Sequence, residues 1–290
     1  VTEAGQILIQ VFNGLQAGLV LYLVAAGLTL MFGVMRIVNL AHGALYAFGA
    51  YLAFGLAGWT GGFVLSILAC IPVLVALGWV LDRFARKFLY SASPLQQILL
   101  TFALILVLDE VRAILWGNDF YSVKMPPALA GSIALGPDMD YPIYRIALSL
   151  ACVALALALS WFIQCTRFGQ HVRAAADDRE MLDALGVDSR RVFTLVMIGA
   201  TVLSGLAGAL SAPVSSVYPG MGDHILIASF VVVVIGGMGS LRGTWWAALL
   251  IGQIETCARI IAPGSAGILS FALMAAILAW RPHGLLRAHR

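Results

Sequence analysis

Long apolar stretches separated by short polar breaks run the length of the chain. They fall at roughly 7–33, 37–58, 62–82, 95–116, 142–164, 192–212, 224–238, 243–262 and 265–280. Most approach the ~20 residues that a helix needs to cross a bilayer core. They are unbroken rather than ~10-residue alternations, so helices are predicted and barrel strands are not. The second stretch carries Asn39 and His42 near its start, and the seventh is short. Either could be broken or re-entrant instead of spanning. The expected fold is all-α and polytopic, with about 8–9 transmembrane or re-entrant helices. Residues 1–290 are expected to form one transmembrane domain.

Composition points the same way. Hydrophobic residues make up 61% of the chain and charged residues 11%, against about 25% charged in ordinary soluble domains. A water-filled surface could not hide so much apolar area, because single cores stop growing near ~250–300 residues. Residues 1–6 lack a positive stretch, so the first apolar run is expected to remain as a span and not be cleaved as a signal. Cys70, Cys152, Cys165 and Cys257 form no CxxC pair. They are expected to be packing residues, with no zinc or other metal site and no disulfide framework. No basic patch with interleaved aromatics suggests nucleic acid.

Basic residues set the expected orientation. With the N-terminus outside and every stretch crossing, the inner side holds Arg36, Arg83, Arg86, Lys87, Arg167, Arg173, Arg179, Arg190, Arg191, Arg242, Arg281, Arg287 and Arg290. The outer side holds Arg112, Lys124, Arg145 and Arg259. The positive-inside rule therefore predicts an outside N-terminus and a cytoplasmic C-terminus. The loop 117–141, with Pro126, Pro127, Gly131, Gly136 and Pro137, is then a periplasmic loop with turn chemistry. The loop 165–191 lies in the cytoplasm.

That inner loop is the most informative segment. Gln170 to Leu185 is rich in helix formers, Gly186 is a stop, and Asp188 or Ser189 can cap the following helix. A short amphipathic helix is predicted. Its apolar residues Val172, Ala175, Ala176, Met181, Leu182 and Leu185 either fill a groove on another protein or belong to a solvated connector. Asn39 and His42 share one helix face inside a span, beside Gly43. Polar groups at that depth either line a solute path or pair across helices to fix packing. Glu255 lies mid-span with Arg259 at i+4, so it is either a pathway residue or half of a local ion pair. Glu110 and Arg112 are too close in register to pair along one face, so partners elsewhere are expected. The run Gly236-Gly-Met-Gly-Ser240 is a tight turn and not a phosphate loop, because Lys87 and Lys124 are the only lysines and neither follows a glycine. Neither HExxH nor GxSxG is present, and His171, His224, His283 and His289 stand alone. The chain is not expected to be an enzyme.

Several of these pieces together resemble one family. They are Asn39-Leu-Ala-His-Gly43 with Gly49-Ala-Tyr51, Arg173-Ala-Ala-Ala-Asp177 with Ala184-Leu-Gly-Val187, Gly236-Gly-Met-Gly-Ser240 with Gly243, Glu255, and Pro282-His-Gly-Leu285. The chain is similar over nearly its whole length to the branched-chain amino acid ABC transporter permease family (the LivH-type membrane subunit). The resemblance implies an importer permease architecture in the bacterial inner membrane. It also implies partners: a homologous second permease subunit, two cytoplasmic ABC ATPases that bind ATP and Mg, and a periplasmic solute-binding protein. No cofactor is implied in this chain itself, whose remaining surroundings are membrane lipid. Asn39, His42, Gly43 and Glu255 become candidate pathway residues. Gly169, Arg173, Ala174, Ala175, Asp177, Leu185 and Gly186 become candidates for coupling to the ATPase. The chain departs from the family pattern at Ala228, where many relatives carry lysine, and at Trp245-Trp-Ala-Ala248. Related importers move urea, short amides or aromatic acids, so these stay as alternative substrates. A stand-alone channel or ion-coupled carrier is the alternative of a different class, and only Asp109, Glu110 and Glu255 could serve its coupling site.

Overall fold

The structure is a computed structural model that describes residues 3–90, 92–136, 139–261, 272, 274–277 and 279. The ninth apolar stretch is described only at isolated positions. The Pro282–Leu285 motif, Arg281, Arg287 and Arg290 lie outside the described residues.

The helices follow the apolar stretches. They are α1 (Glu3–Leu30), continued by a π turn at Met31–Met35, α2 (His42–Thr60), α3 (Phe63–Phe88), α4 (Pro94–Trp116) and α5 (Ile143–Cys165). Two short helices follow, α6 (Arg167–Asp177) and α7 (Arg179–Ala184), then α8 (Ser189–Ser211), α9 (Met221–Gly236) and α10 (Leu241–Ile261). Four segments are long and apolar enough to cross a membrane on length and composition: Ile7–Met35, Phe63–Phe88, Ile143–Cys165 and Ser189–Ser211. At ~1.5 Å per residue, the 16-residue α9 is about 24 Å long, shorter than the ~30 Å core.

Burial sorts the helices into a centre and a rim. The apolar window of the first span is 89% buried inside the protein, against 28% for α3 and 22% for α5. The first helix packs on α10, α8, α9 and α5, and α2 packs on α8, α3 and α9. Between apolar helices in lipid, close approach through small residues replaces the hydrophobic drive available in water. Here a Cβ on Gly49 would overlap the carbonyl oxygen of Gly205, and one on Gly208 would overlap that of Tyr46, so α2 and α8 touch backbone to backbone. Gly43 and Gly222 bring α2 and α9 together in the same way.

Three expectations are corrected. First, the second stretch does not begin as helix at residue 37. Arg36 sits in the left-handed region (φ 54), and the backbone stays irregular until His42. Irregular backbone within apolar surroundings must find partners in protein. Gln97 Oε1 accepts from Val38 N at 3.3 Å, and Asn39 Oδ1 accepts from Ala41 N at 3.0 Å. Second, the loop 117–141 contains an antiparallel hairpin, β1 (Ser132–Gly136) with β2 (Met139–Pro142). Third, the inner loop is two helices, not one. Asp178 breaks the run because its carboxylate caps α7, accepting from Met181 N at 3.1 Å. The cysteines also divide: Cys70 and Cys152 are buried, while Cys165 and Cys257 are exposed and do not pack the core.

Candidate functional site

The ends of α1, α5, α8, α9 and α10 nearest the hairpin enclose a cavity of about 500 Å³. Its polar lining comes from several helices: Gln16, Tyr46, Arg145, Ser211, His224 and Glu255. Its apolar lining includes Val20, Leu21, Met221 and Ile225. Arg145 is held by Asn13, whose Oδ1 accepts from its Nη1 at 2.6 Å. Glu255 pairs with Arg259 at 3.5 Å, with Glu255 the more buried partner. The Tyr46 and Ser211 hydroxyls lie 2.6 Å apart at the wall. Gln16 Oε1 is buried without a hydrogen-bond partner among the described residues. A buried amide oxygen in that state calls for a donor from water or solute. The cavity therefore combines a carboxylate, a guanidinium and an apolar surface in one space.

Of the candidate pathway residues, only Glu255 lines this cavity. Asn39, His42 and Gly43 lie in the helix packing. His42 is fully buried, with Nε2 2.9 Å from Val24 O, and its carbonyl accepts from the Ser204 hydroxyl at 3.1 Å. Asn39 is spent on the turn that starts α2, and Gly43 on the contact with Gly222. These three join α1, α2, α8 and α9. Arg145, Tyr46 and Gln16 were not singled out by the sequence, because each is a common residue type without a motif and only the fold brings them together.

At the opposite end, α6 folds back on α5. Gly169 N donates to Thr166 Oγ1 at 3.1 Å, and Arg173 donates to the carbonyl oxygen of Ile163. Val172, Ala175 and Leu182 are buried against Val34, Leu81, Val192 and Phe193. They dock on the chain's own bundle and are not free to fill a partner's groove. The outward side includes Ala174, Asp177, Met181 and Leu185, with Leu185 71% exposed. Gly186 closes α7 at φ 84, and its N–H donates to Asp183 O at 3.0 Å. A positive φ favours glycine there. Ser189 joins α7 to α8: its N–H and its hydroxyl reach the two Asp183 oxygens at 3.0 Å each. The Asp183 carboxyl is held below its usual range, first by the Ser189 N–H and then by the Ser189 hydroxyl.

A buried carboxylate that the sequence reading passed over stands behind this joint. Asp82 is fully buried near the end of α3. It takes Arg86 at 2.5 Å, the Tyr90 hydroxyl at 3.0 Å and the Thr194 hydroxyl of α8 at 2.9 Å. The Phe193 ring stacks edge-on to Tyr90 and receives the Arg179 guanidinium at 4.9 Å. One network thus links α3, α7 and α8. At the hairpin end, Arg112 is tied to Gly117 O at 2.8 Å and Asn118 Oδ1 at 3.1 Å, with Asp109 at 3.9 Å. Its closest partners are in its own helix and the following loop, with the Tyr51 ring of α2 alongside.

Comparison with known proteins places this architecture. Residues 10–278 match the family described as branched-chain amino acid transport system / permease component. The chain belongs to that family. Among its relatives, the high-affinity branched-chain amino acid transport system permease protein BraD of Pseudomonas aeruginosa is 28% identical, covering 96% of this chain and 94% of the relative. LivH of Escherichia coli K12, a permease protein of the same description, is 26% identical with the same two coverages. An ABC transporter described as metal-chelate type, in an inward-facing conformation, aligns over 94% of this chain at a TM-score of 0.50 and 19% identity, which bears on the fold alone. The permease is a multi-pass membrane protein, as its apolar helices and relatives agree. Its departures from the expected family pattern are located: Ala228 lies in the cavity wall. Ala247 and Ala248 are fully buried, with the Ala248 backbone against Gly18 of α1.

Proposed function

We propose that this permease forms half of the pore of an ATP-driven importer in the bacterial inner membrane and moves branched-chain amino acids inward. A second, homologous permease completes the pore. Two cytoplasmic ATPases bind ATP and Mg and dock at the α6–α7 end, and a periplasmic binding protein delivers solute to the hairpin end. The end-to-end relationship to importer permeases carries this reading. The positive-inside rule supports the orientation, because Arg83, Arg86, Lys87, Arg167, Arg173 and Arg242 all belong to the α6–α7 end. Glycine-free lysines and the missing catalytic sets leave this chain no nucleotide chemistry of its own, so hydrolysis belongs to the partners.

The cavity supports the solute class. An amino acid carries a carboxylate, an ammonium group and, in the branched-chain case, an aliphatic side chain. Arg145, Glu255 and the wall of Val20, Leu21 and Ile225 offer one complement for each. Urea or a short amide would leave Arg145 without a carboxylate partner and the apolar lining without an aliphatic group, which disfavours that alternative.

The test is uptake of labelled leucine by proteoliposomes holding the permease pair, both ATPases and the binding protein. Uptake that requires ATP, with competition by isoleucine and valine but not urea, is expected. Ion-gradient-driven uptake by this chain alone, without ATPases, would overturn the proposal in favour of a secondary carrier.

A further inference from the structure

A second cavity, of about 270 Å³, opens between α5 and α10 at the α6–α7 end of the bundle. Tyr22, Ser160, Gln164, Arg242, Trp245 and Trp246 line it. It is separate from the solute cavity and shares no lining residue with it. Its cation is conspicuous: Arg242 is exposed and makes no ion pair or side-chain hydrogen bond among the described residues. The pocket's tryptophans sit where the chain departs from the family pattern. The Trp245 ring is fixed edge-on to Tyr22 at 4.8 Å, while Trp246 is 62% exposed.

The surface leading away from the pocket is apolar. Leu150, Leu157 and Trp161 of α5 and Leu250 of α10 all point outward, and α5 is one of the least buried spans. An unpaired guanidinium at the membrane edge, flanked by amphipathic tryptophans and backed by an apolar wall, has the pattern of a lipid headgroup site. Tryptophan is enriched at the headgroup level, and basic pockets between spans on the cytoplasmic side bind anionic headgroups.

We propose that this pocket holds the phosphate headgroup of an anionic phospholipid, with Arg242 pairing the phosphate and the acyl chains lying along Leu157, Trp161 and Leu250. The proposal depends on the chain's embedding in a bilayer. The importer reading decides only which leaflet supplies the lipid.

The experiment uses the permease reconstituted in nanodiscs of mixed phosphatidylglycerol and phosphatidylcholine, then released gently for native mass spectrometry. Retention of phosphatidylglycerol over phosphatidylcholine is expected. In Arg242→Gln that retention should fall about fivefold, the effect of one basic residue near an anionic headgroup. Trp246→Ala should lower retention of both lipids. Thermal melting of each variant at the wild-type temperature is expected, and confirms that the fold is intact. Equal retention of the two lipids, or an Arg242→Gln variant that binds like wild type, would overturn the proposal. So would displacement of the lipid by millimolar glycerol 3-phosphate, which would mark a free-phosphate site. Efficient cross-linking from Trp161→Cys to a second permease subunit would overturn it too, because the face would then be a protein interface. None of these outcomes depends on transport.

Discussion

The Thr194 hydroxyl of α8 donates a 2.9 Å hydrogen bond to Oδ2 of Asp82 on α3. It is a polar tie between two spans, made at the end where α6 and α7 are attached. Because Asp82 also holds Arg86 and Tyr90, one side chain joins α8 to the end of α3. Asp82→Ala should unlink these helices. Arg86 is about one-third exposed and can be hydrated, so the loss should be about 1–3 kcal/mol and not that of a fully buried pair. A lower melting temperature in detergent, with solute-stimulated ATP hydrolysis reduced more than basal hydrolysis, is the expected result. Unchanged melting and stimulation would rule out the tie.

The outward residues of α7 and the Leu185 that follows it are the proposed grip for a motor. Leu185 and Met181 are 71% and 58% exposed, so Leu185→Asp or Met181→Asp should leave the fold intact. Either should depress ATP-driven uptake by about tenfold or more, as expected for an anchor residue at a protein interface. Arg173 is a poorer probe, because its side chain is tied to Ile163 O and charge reversal would undo the α5–α6 joint itself. Gly186→Pro suffers likewise, since it removes the N–H bonded to Asp183 O and demands a negative φ. Full uptake by Leu185→Asp in the assembled transporter would place the motor elsewhere.

Glu255 separates the two readings left open by its spacing from Arg259. The pair exists, at 3.5 Å, yet the carboxylate also lines the cavity of about 500 Å³. Arg259 is 70% exposed, so Glu255→Gln leaves a hydrated cation and little change in stability. If Glu255 meets the solute ammonium, leucine uptake should fall at least about tenfold, the worth of a hydrogen bond to a charged group. Uptake equal to wild type would return Glu255 to a purely local role.

Asp183 gives a pH dependence. Its folded carboxyl titrates below the ordinary 3.8 because of Ser189. A depressed folded value means its contribution is complete above the ordinary value and disappears as pH falls through the lower one. The hydrogen-exchange protection of the Ser189 amide, corrected for intrinsic rate, should therefore be higher at pH 6 than at pH 3. Asp183→Asn should show no such difference. A wild-type profile as flat as the variant's would exclude this joint as a proton-sensitive contact.

Hydrophobic patterning was enough to place the eight long helices among the described residues and their order, because lipid imposes helices on any long apolar run. What it missed was set by local competition. Asp178 breaks the inner helix through its own side chain, and the signal was present in its spacing from Met181, yet flanking helix formers concealed it. Asp82 stands beside Arg83, Arg86 and Lys87 and went unremarked, although its i+4 spacing to Arg86 was legible. His42 and Asn39 are buried between helices and away from the cavity lining, a placement that only the fold reveals. The cavity lining could not be read at all. Gln16, Tyr46 and Arg145 come from three helices, and only the packing of the folded bundle brings them together.

The importer proposal requires that α6 and α7 lie on the cytoplasmic side, as the handle for a separate motor. It is tested most directly by labelling Leu185→Cys, in a Cys165→Ser/Cys257→Ser background, with a membrane-impermeant maleimide. Labelling in inverted membrane vesicles, with none in right-side-out vesicles, is expected. Labelling from the periplasmic side alone would contradict the account.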